Sequence, residues 1–150
     1  MSTVTSTTPA ALGIDPRGPR VSASLTSVVL AAALVTPAPI SVVLLGAQAV
    51  VFGFGASRGV QYTPYSLVFR GLVRPRLGAP GELEDPRPPR FAQGLGLGFV
   101  VVALIALAAG ATAVGLVAVG LALVAALLNA VFGLCLGCEL YLILRRAIDR

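Results

Sequence analysis

Residues 113–146 read AVGLVAVGLALVAALLNAVFGLCLGCELYLILRR, and this run decides the fold. It begins with an unbroken series of apolar and small residues, and about twenty such residues are enough for a helix to cross a bilayer. Polar chemistry is concentrated near its end, where Asn129 is followed by the chain's two cysteines, Cys135 and Cys138, and by Glu139. The run therefore predicts a membrane-spanning helix that carries a CxxC motif close to one membrane face.

The whole chain is too apolar for a protein that meets water on all sides. Of its 150 residues, 57% are hydrophobic and 11% are charged, whereas soluble domains carry about 25% charged residues. We therefore predict an integral membrane protein that contacts the lipid bilayer. All eleven basic residues are arginine, but no aromatic residues alternate with them as a base-stacking site requires, so we expect no nucleic acid partner.

The residue types also exclude several kinds of chemistry. The chain contains no histidine, which removes Ser–His and Cys–His catalysis and the commonest metal ligand. Two cysteines cannot by themselves fill a structural zinc site, which takes four protein ligands. We therefore predict no metal and no cofactor. Whether the chain is an enzyme stays open, because the only catalytic candidate is the cysteine pair.

Four apolar runs organise the chain into one all-α membrane domain over residues 13–150, after a disordered polar tail over residues 1–12. The predicted spans cover about 19–36, 39–56, 88–109 and 113–144, and a connection over 57–86 separates the second from the third. A helix of some thirty residues is roughly 45 Å long, which exceeds the roughly 30 Å hydrocarbon core. The fourth helix must therefore tilt, break near Gly133 or Gly137, or project its last two turns into the interface.

The connection contains a segment with two distinct helical faces. One face gathers Tyr65, Val68, Phe69, Leu72 and Val73, whereas Arg70 and Arg74 project from another. This pattern predicts a short amphipathic helix on the cytoplasmic side, lying in an anionic headgroup layer with both arginines at the membrane surface. The alternative is an ordinary loop helix that packs on its own protein.

The two halves of the chain resemble each other. Asp15-Pro-Arg-Gly-Pro-Arg20 and Asp85-Pro-Arg-Pro-Pro-Arg90 agree at five of six positions, and each precedes two apolar runs joined by an uncharged turn. We infer two tandem helical hairpins that form a parallel internal repeat. The positive-inside rule then predicts a multi-pass protein of the inner membrane with both termini in the cytoplasm. A rival interpretation makes 21–35 a cleaved signal peptide.

The cysteines are the candidate catalytic residues, with Glu139 beside them. Residues at i and i+3 share one side of a helix and are close enough for a disulfide after modest adjustment. On a continuous helix, the C-terminal position and Glu139 would both raise the thiol pKa and slow the reaction. A break at Gly133 would instead give Cys135 a helix N-terminus that favours the thiolate, so the reactive-thiol hypothesis predicts this break. The alternative is that both cysteines only pack against a neighbouring helix.

Two amides, Gln48 and Asn129, lie inside apolar runs at what the sequence suggests is comparable depth. Polar groups within a bilayer face the bundle interior. The sequence leaves two roles open for these amides: a hydrogen-bonded pair between the halves, or the lining of a path for a small polar solute.

These features resemble a known family. Leu72-Val-Arg-Pro-Arg-Leu77, Asp85-Pro-Arg-Pro-Pro-Arg-Phe-Ala-Gln93 and the segment from Asn129 to Tyr141 are similar to the bacterial membrane family catalogued as domain of unknown function 4395, and the likeness covers residues 15–146. The resemblance implies a four-helix membrane domain with no assigned activity. Its members are often encoded beside, or fused to, thioredoxin-like and rhodanese-like proteins, which implies thiol or sulfur handling with a partner that acts in trans.

Three functions follow from these observations. The first is a thiol-redox or sulfur-relay membrane protein that uses the cytoplasm-facing cysteine pair with a thioredoxin-like or rhodanese-like partner. The second is a small transporter module for a sulfur-containing solute, and the third is a non-catalytic membrane scaffold. A homo-oligomer is compatible with each of them.

Overall fold

The computed structural model describes residues 13–150, so the predicted disordered tail over residues 1–12 lies outside the described part. The helices are α1 (Arg17–Val35), α2 (Ala38–Arg58), α3 (Pro64–Val68), α4 (Arg74–Leu77), α5 (Arg87–Ala108), α6 (Thr112–Phe132) and α7 (Leu136–Ile148). A 3-10 turn at Val60–Tyr62 and a π-helical turn at Phe69–Val73 complete the regular structure. No β-strand forms within residues 13–150, in agreement with the predicted all-α class.

The two repeated Asp-Pro-Arg motifs start the two hairpins in the same way. The Asp15 carboxylate accepts the backbone N–H of Arg17 at 3.0 Å, and the Asp85 carboxylate accepts that of Arg87 at 2.9 Å. The intervening proline has no N–H and already holds a helical φ. Each motif therefore satisfies the first free amide of a long helix and fixes where that helix begins.

Four long helices form a closed ring. Helix α1 packs against α2 and α6, and α5 packs against the same two neighbours. Short turns join α1 to α2 and α5 to α6, so adjacent helices run antiparallel. The core between them combines a few large side chains with several alanines, which let helix backbones approach closely in a bilayer. Its buried members are Leu30, Ala33, Leu45, Phe52, Val100, Ala103, Ala118, Val119 and Ala122.

The outward faces of this ring are apolar. Val28 is 67% exposed, Ile105 is 64% exposed and Val117 is 60% exposed. Helices α1, α2, α5 and α6 are each long and apolar enough to cross a membrane. Because soluble proteins rarely expose large continuous apolar surfaces, and all four long helices carry exposed large apolar side chains, this surface indicates contact with lipid. The chain therefore has the architecture of a membrane protein with four candidate spans.

All the charged residues of the described chain lie toward one end of the bundle, and several of them join its segments there. The backbones of Ile14 and Glu84 pair through two hydrogen bonds of 2.9 Å. Arg17 forms an ion pair with Asp15 at 2.8 Å and donates to the carbonyl of Gly78 at 3.0 Å. The start of α1 is thereby fastened to both ends of the segment that precedes α5.

The connection between α2 and α5 is helical over much of its length but does not form one regular helix. Its π-helical turn precedes Pro75, which lacks the N–H needed for a regular bond and whose ring would clash with the preceding turn. Phe69 is buried and lies 3.5 Å from where a side-chain carbon would stand on Gly18 of α1. Leu72, on the predicted apolar face, is 59% exposed. Part of that face therefore packs on the bundle.

The predicted fourth span is too long. The sequence places its end near residue 144, whereas α6 ends at Phe132 and a separate helix, α7, begins at Leu136. Hydropathy alone joined the two helices because no charged residue separates them before Glu139. Of the three ways to accommodate the long run, the structure contains the break at Gly133.

Candidate functional site

The cysteine pair owes its position to the turn between α6 and α7. Gly133 has a φ of +68°, which is left-handed backbone that other residues adopt only with strain. The N–H of Gly133 donates to the carbonyl of Asn129 at 3.0 Å, and the N–H of Leu134 donates to that of Leu128 at 3.2 Å. The chain then leaves helical geometry, and Cys135 has extended backbone. Cys135 consequently caps the N-terminus of α7 instead of lying inside a continuous helix.

Arg20 completes this turn from the neighbouring helix. The bonding pattern at the end of α6 leaves the carbonyls of Ala130 and Val131 without backbone donors, and the Arg20 guanidinium donates to them at 3.5 and 3.2 Å. Arg90, which occupies the equivalent place in the second motif, donates to the carbonyls of Ala56 and Ser57 at the end of α2 at 2.7 and 2.6 Å. A cation beside a helix C-terminus also offsets the negative end of its dipole.

Cys135 and Cys138 form a disulfide. Their Cα atoms lie 5.2 Å apart, within the usual range for such a bond. The backbone N–H of Cys138 donates to the Cys135 sulfur at 3.3 Å, so this sulfur occupies the place of a helix cap. Both cysteines are half-buried, whereas Glu139 in the first turn of α7 is exposed.

Helix α7 is held against α5 by a close contact and an aromatic pair. A side-chain carbon on Gly137 would lie 2.6 Å from the Ala92 Cβ atom and 2.7 Å from its Cα atom. One turn further on, the rings of Tyr141 and Phe91 are inclined at 51° with their centroids 5.6 Å apart. The absence of a side chain on Gly137 therefore lets the first turn of α7, with its disulfide, lie directly on α5.

A cavity of about 360 Å³ opens beside the disulfide, between the four long helices and α7. Its wall is mainly apolar, and its few polar side chains are Thr26, Gln93, Asn129 and Cys135. Cys138 is not part of the wall. Cys135 is thus the member of the pair that a molecule in this cavity would meet.

The two predicted amides have different surroundings. Gln48 is fully buried, donates to the Thr26 hydroxyl at 3.3 Å, and accepts the Tyr65 hydroxyl at 2.7 Å. Burial raises the pKa of Tyr65, which keeps its hydroxyl protonated as the donor. This network links α1, α2 and α3, and gives Gln48 a structural role.

The predicted Gln48–Asn129 pair is therefore wrong. Gln48 lies ten residues from the start of α2, and Asn129 lies seventeen residues from the start of α6, which are about 15 and 25 Å along their helices. The two amides therefore lie at different depths, although the sequences around them are similar. Asn129 is further from the start of its helix than Gln48 is from the start of its own. Asn129 instead faces the cavity.

Arg70 and Arg74 are both exposed, as a role at a membrane surface requires. Arg74 also contributes to a depressed pKa of Asp15, although the main cause is the hydrogen bond from Arg17. Within the described range 13–150, no three His, Cys, Asp or Glu side chains come together as a set of metal ligands. Arg20 places a cation beside the CxxC turn, with its Nε atom 3.7 Å from where a side-chain carbon would stand on Gly133.

Sequence reasoning missed two residues at this site. Arg20 could have been found by asking why the arginine that ends each repeated motif is retained in both. Gln93 could have been found as the one polar side chain early in the third apolar run. Both lie near the beginning of a long helix, where polar residues are ordinary, and their neighbours come from distant segments of the chain.

Comparison with known proteins yields one match. The family model described as Domain of unknown function (DUF4395) covers residues 14–146, which includes every helix through the double arginine of α7. No curated protein and no solved structure matches the chain. The chain therefore belongs to the DUF4395 family.

Proposed function

We propose that this chain is a thiol-redox or sulfur-relay membrane protein. Cys135 and Cys138 would alternate between dithiol and disulfide and exchange with a thioredoxin-like or rhodanese-like partner. The observation that carries the proposal is the turn at Gly133, because it places Cys135 at the N-terminus of α7. Two cysteines that served only as packing residues would gain nothing from this position.

The electrostatic surroundings of Cys135 support a reactive sulfur. Backbone amides at a helix N-terminus favour a thiolate over a thiol, and one such amide, that of Cys138, already reaches the Cys135 sulfur at 3.3 Å. The Arg20 guanidinium approaches Gly133, two residues earlier, to 3.7 Å from where its side-chain carbon would stand. Glu139 opposes these effects, but its side chain is exposed and therefore well screened by water.

The proposed setting is the inner membrane, with both termini and the connection between α2 and α5 in the cytoplasm. Charge asymmetry supports this orientation, since the turns at 36–37 and 109–111 carry no charge and the arginines gather at the other end. The disulfide lies at that same arginine-rich end. A cytoplasmic partner would therefore meet it without having to enter the bilayer.

We also propose that the four spans are two copies of one hairpin. The reciprocal pairing of Ile14 with Glu84 joins the residues that precede the two motifs, as a twofold relation requires. Arg20 and Arg90 supply a second such correspondence, because each caps the last carbonyls of the other hairpin's second helix. Arg70 and Arg74, on the segment between the copies, are both exposed, which supports a role for them in the headgroup layer.

The test is a trap for the mixed disulfide. A Cys138→Ser variant, reconstituted in nanodiscs, is mixed with a thioredoxin whose resolving cysteine is replaced by serine and whose remaining cysteine carries thionitrobenzoate in disulfide linkage. The Cys135 thiolate attacks the thioredoxin sulfur and thionitrobenzoate leaves. The mixed disulfide then accumulates, because neither protein retains a second cysteine to displace the other. The matched variant is Cys135→Ser, whose remaining sulfur lies away from the helix cap and should trap much less. Failure of both variants to form a mixed disulfide would contradict the proposal.

A second measurement separates catalysis from a structural role. Replacing both cysteines by alanine should leave the bundle folded. The variant should nevertheless fail to support host cells that depend on the thiol chemistry of the protein. If the doubly substituted protein fully supports those cells, the chain acts as a non-catalytic scaffold.

A further inference from the structure

We propose that the cavity beside Cys135 binds the headgroup of a membrane quinone, which oxidises the reduced cysteine pair. This inference deepens the proposed function and rests on it. In the reaction, two S–H bonds break and one S–S bond forms. The two electrons and two protons pass to the quinone, whose two carbonyl oxygens become the hydroxyls of a quinol.

The cavity has the size and polarity that such a headgroup requires. Its volume of about 360 Å³ lies within the range of small-molecule sites, which are mostly apolar with a few oriented polar groups. A quinone has a flat apolar ring and two opposed carbonyl acceptors. Gln93 on α5 and Asn129 on α6 both line the cavity, and the NH₂ groups of their side chains are hydrogen-bond donors.

An apolar groove gives the cavity a route into the lipid. The groove, of about 470 Å³, lies between α5 and α6 and shares Leu95, Phe99 and Leu121 with the cavity wall. It continues along α5 to Val102, which is 50% exposed. Gly98 leaves open space in this groove, since no atom lies within 4 Å of where its side-chain carbon would stand. A groove with this course fits an isoprenoid tail.

The position of the disulfide identifies which sulfur takes part. Cys135 lines the cavity, whereas Cys138 does not. Cys138 lies in the first turn of α7 and forms the disulfide with Cys135. Cys135 would therefore face the quinone, and Cys138 would complete the disulfide. A lipid chain could fill an apolar cavity, but it could not accept electrons from the pair.

The experiment uses the reduced full-length protein in nanodiscs with decylubiquinone. The ring of this quinone is fully substituted, so thiols do not add to it readily. Loss of quinone absorbance and loss of free thiols are followed together. We expect a saturable rate, two thiols lost for each quinone reduced, and a much slower reaction with a small dithiol at the same concentration.

Substitutions then test the two amides. Gln93→Leu and Asn129→Leu should each raise the quinone concentration at half-maximal rate about threefold to tenfold, the effect of removing one hydrogen bond. The rate of exchange with thioredoxin should stay unchanged in both variants, which shows that they are folded and that their cysteines still react.

The groove is tested with a matched pair of glycines. Gly98→Leu should slow the reaction with decylubiquinone but not with the same ring carrying a methyl group in place of its tail. Gly46→Leu on α2 is the control, because Gly46 also has no atom within 4 Å of where its side-chain carbon would stand but lies outside the groove. It should leave both rates unchanged.

Two results would overturn the inference. One is a wild-type rate that does not saturate or does not exceed that of the small dithiol, and the other is a rate that neither amide substitution changes. If the protein still forms the mixed disulfide with thioredoxin in these cases, only the quinone inference fails. If the mixed disulfide is also absent, the proposed function fails with it.

Discussion

The contact between Gly137 and α5 predicts that a single added methyl group will displace the helix that carries the disulfide. In Gly137→Ala, the new carbon would lie 2.6 Å from the Ala92 Cβ atom and 2.7 Å from its Cα atom. Carbon atoms in contact normally stay about 3.5–4.0 Å apart, so α7 and α5 must separate by about 1 Å. A change of side-chain rotamer cannot relieve this clash, because Ala92 has no further atoms to rotate.

The expected loss combines two destabilising effects and one that opposes them. Overpacking of this kind destabilises by about 1–3 kcal/mol, and displacement of α7 also weakens the aromatic pair of Phe91 and Tyr141, which is worth about 0.5–1.5 kcal/mol. Replacing glycine by alanine in a helix gains up to about 1 kcal/mol, and less in the first turn. We therefore expect α7 to be held to α5 less tightly by about 1–2 kcal/mol.

Hydrogen exchange of the α7 backbone amides measures this local stability directly. Gly137→Ala should reduce protection in α7 about five- to thirtyfold while the amides of α1 and α2 stay unchanged. The control is Gly98→Ala on α5, since Gly98 has open space around it. If the two variants show equal protection in α7, then α7 does not depend on this contact and the geometry argued for the disulfide is wrong.

Three further predictions concern the arginine cap, the buried amide and the charged entry to α1. Arg20→Gln should lower the free energy of unfolding by about 0.3–1 kcal/mol in thermal melts in detergent, because it removes a cation from the C-terminus of α6; a gain in stability would contradict the cap. Tyr65→Phe should cost about 1–3 kcal/mol in the same assay, since it takes a donor from the buried Gln48 oxygen, whereas equal stability would show that water replaces it. The hydrogen bond from Arg17 holds the pKa of Asp15 below its ordinary 3.8. This bond therefore contributes its full stabilisation above pH 3.8 and loses it as the pH falls further and the Asp15 carboxylate is protonated. Melts between pH 6 and 3 should show this acid loss in the wild type and a smaller one in Asp15→Asn, and parallel curves would exclude the effect.

Much of the fold could be predicted because the bilayer imposes simple rules on a sequence. The motifs beginning at Asp15 and Asp85 marked two helix starts to within two residues, since their cap chemistry is local. The first three predicted spans also agree closely with α1, α2 and α5. The end of α6 could not be placed in this way, because a left-handed glycine at 133 and an ordinary helical glycine look alike in a hydropathy pattern.

The candidate site could be predicted only in part. Its cysteines were evident from their spacing, and the break at Gly133 was one of three ways to accommodate a run that was too long. Asn129 was recognised as polar, but its place in a cavity depends on how α6 packs against α5 and α1. Gln93 was missed for the same reason. Contacts between distant segments depend on how the helices pack. The hydrophobic pattern of a single helix does not predict which residues of other helices it will meet.

The redox state and the sidedness of the cysteine pair test the central claim most directly. A membrane-impermeant maleimide is applied to inside-out and right-side-out vesicles, with and without prior reduction, and labelling of Cys135 is read by mass spectrometry. We expect labelling only after reduction and only in inside-out vesicles, where the cytoplasmic face is exposed. Equal labelling without reductant, or labelling from the opposite face, would contradict a cytoplasm-facing redox pair.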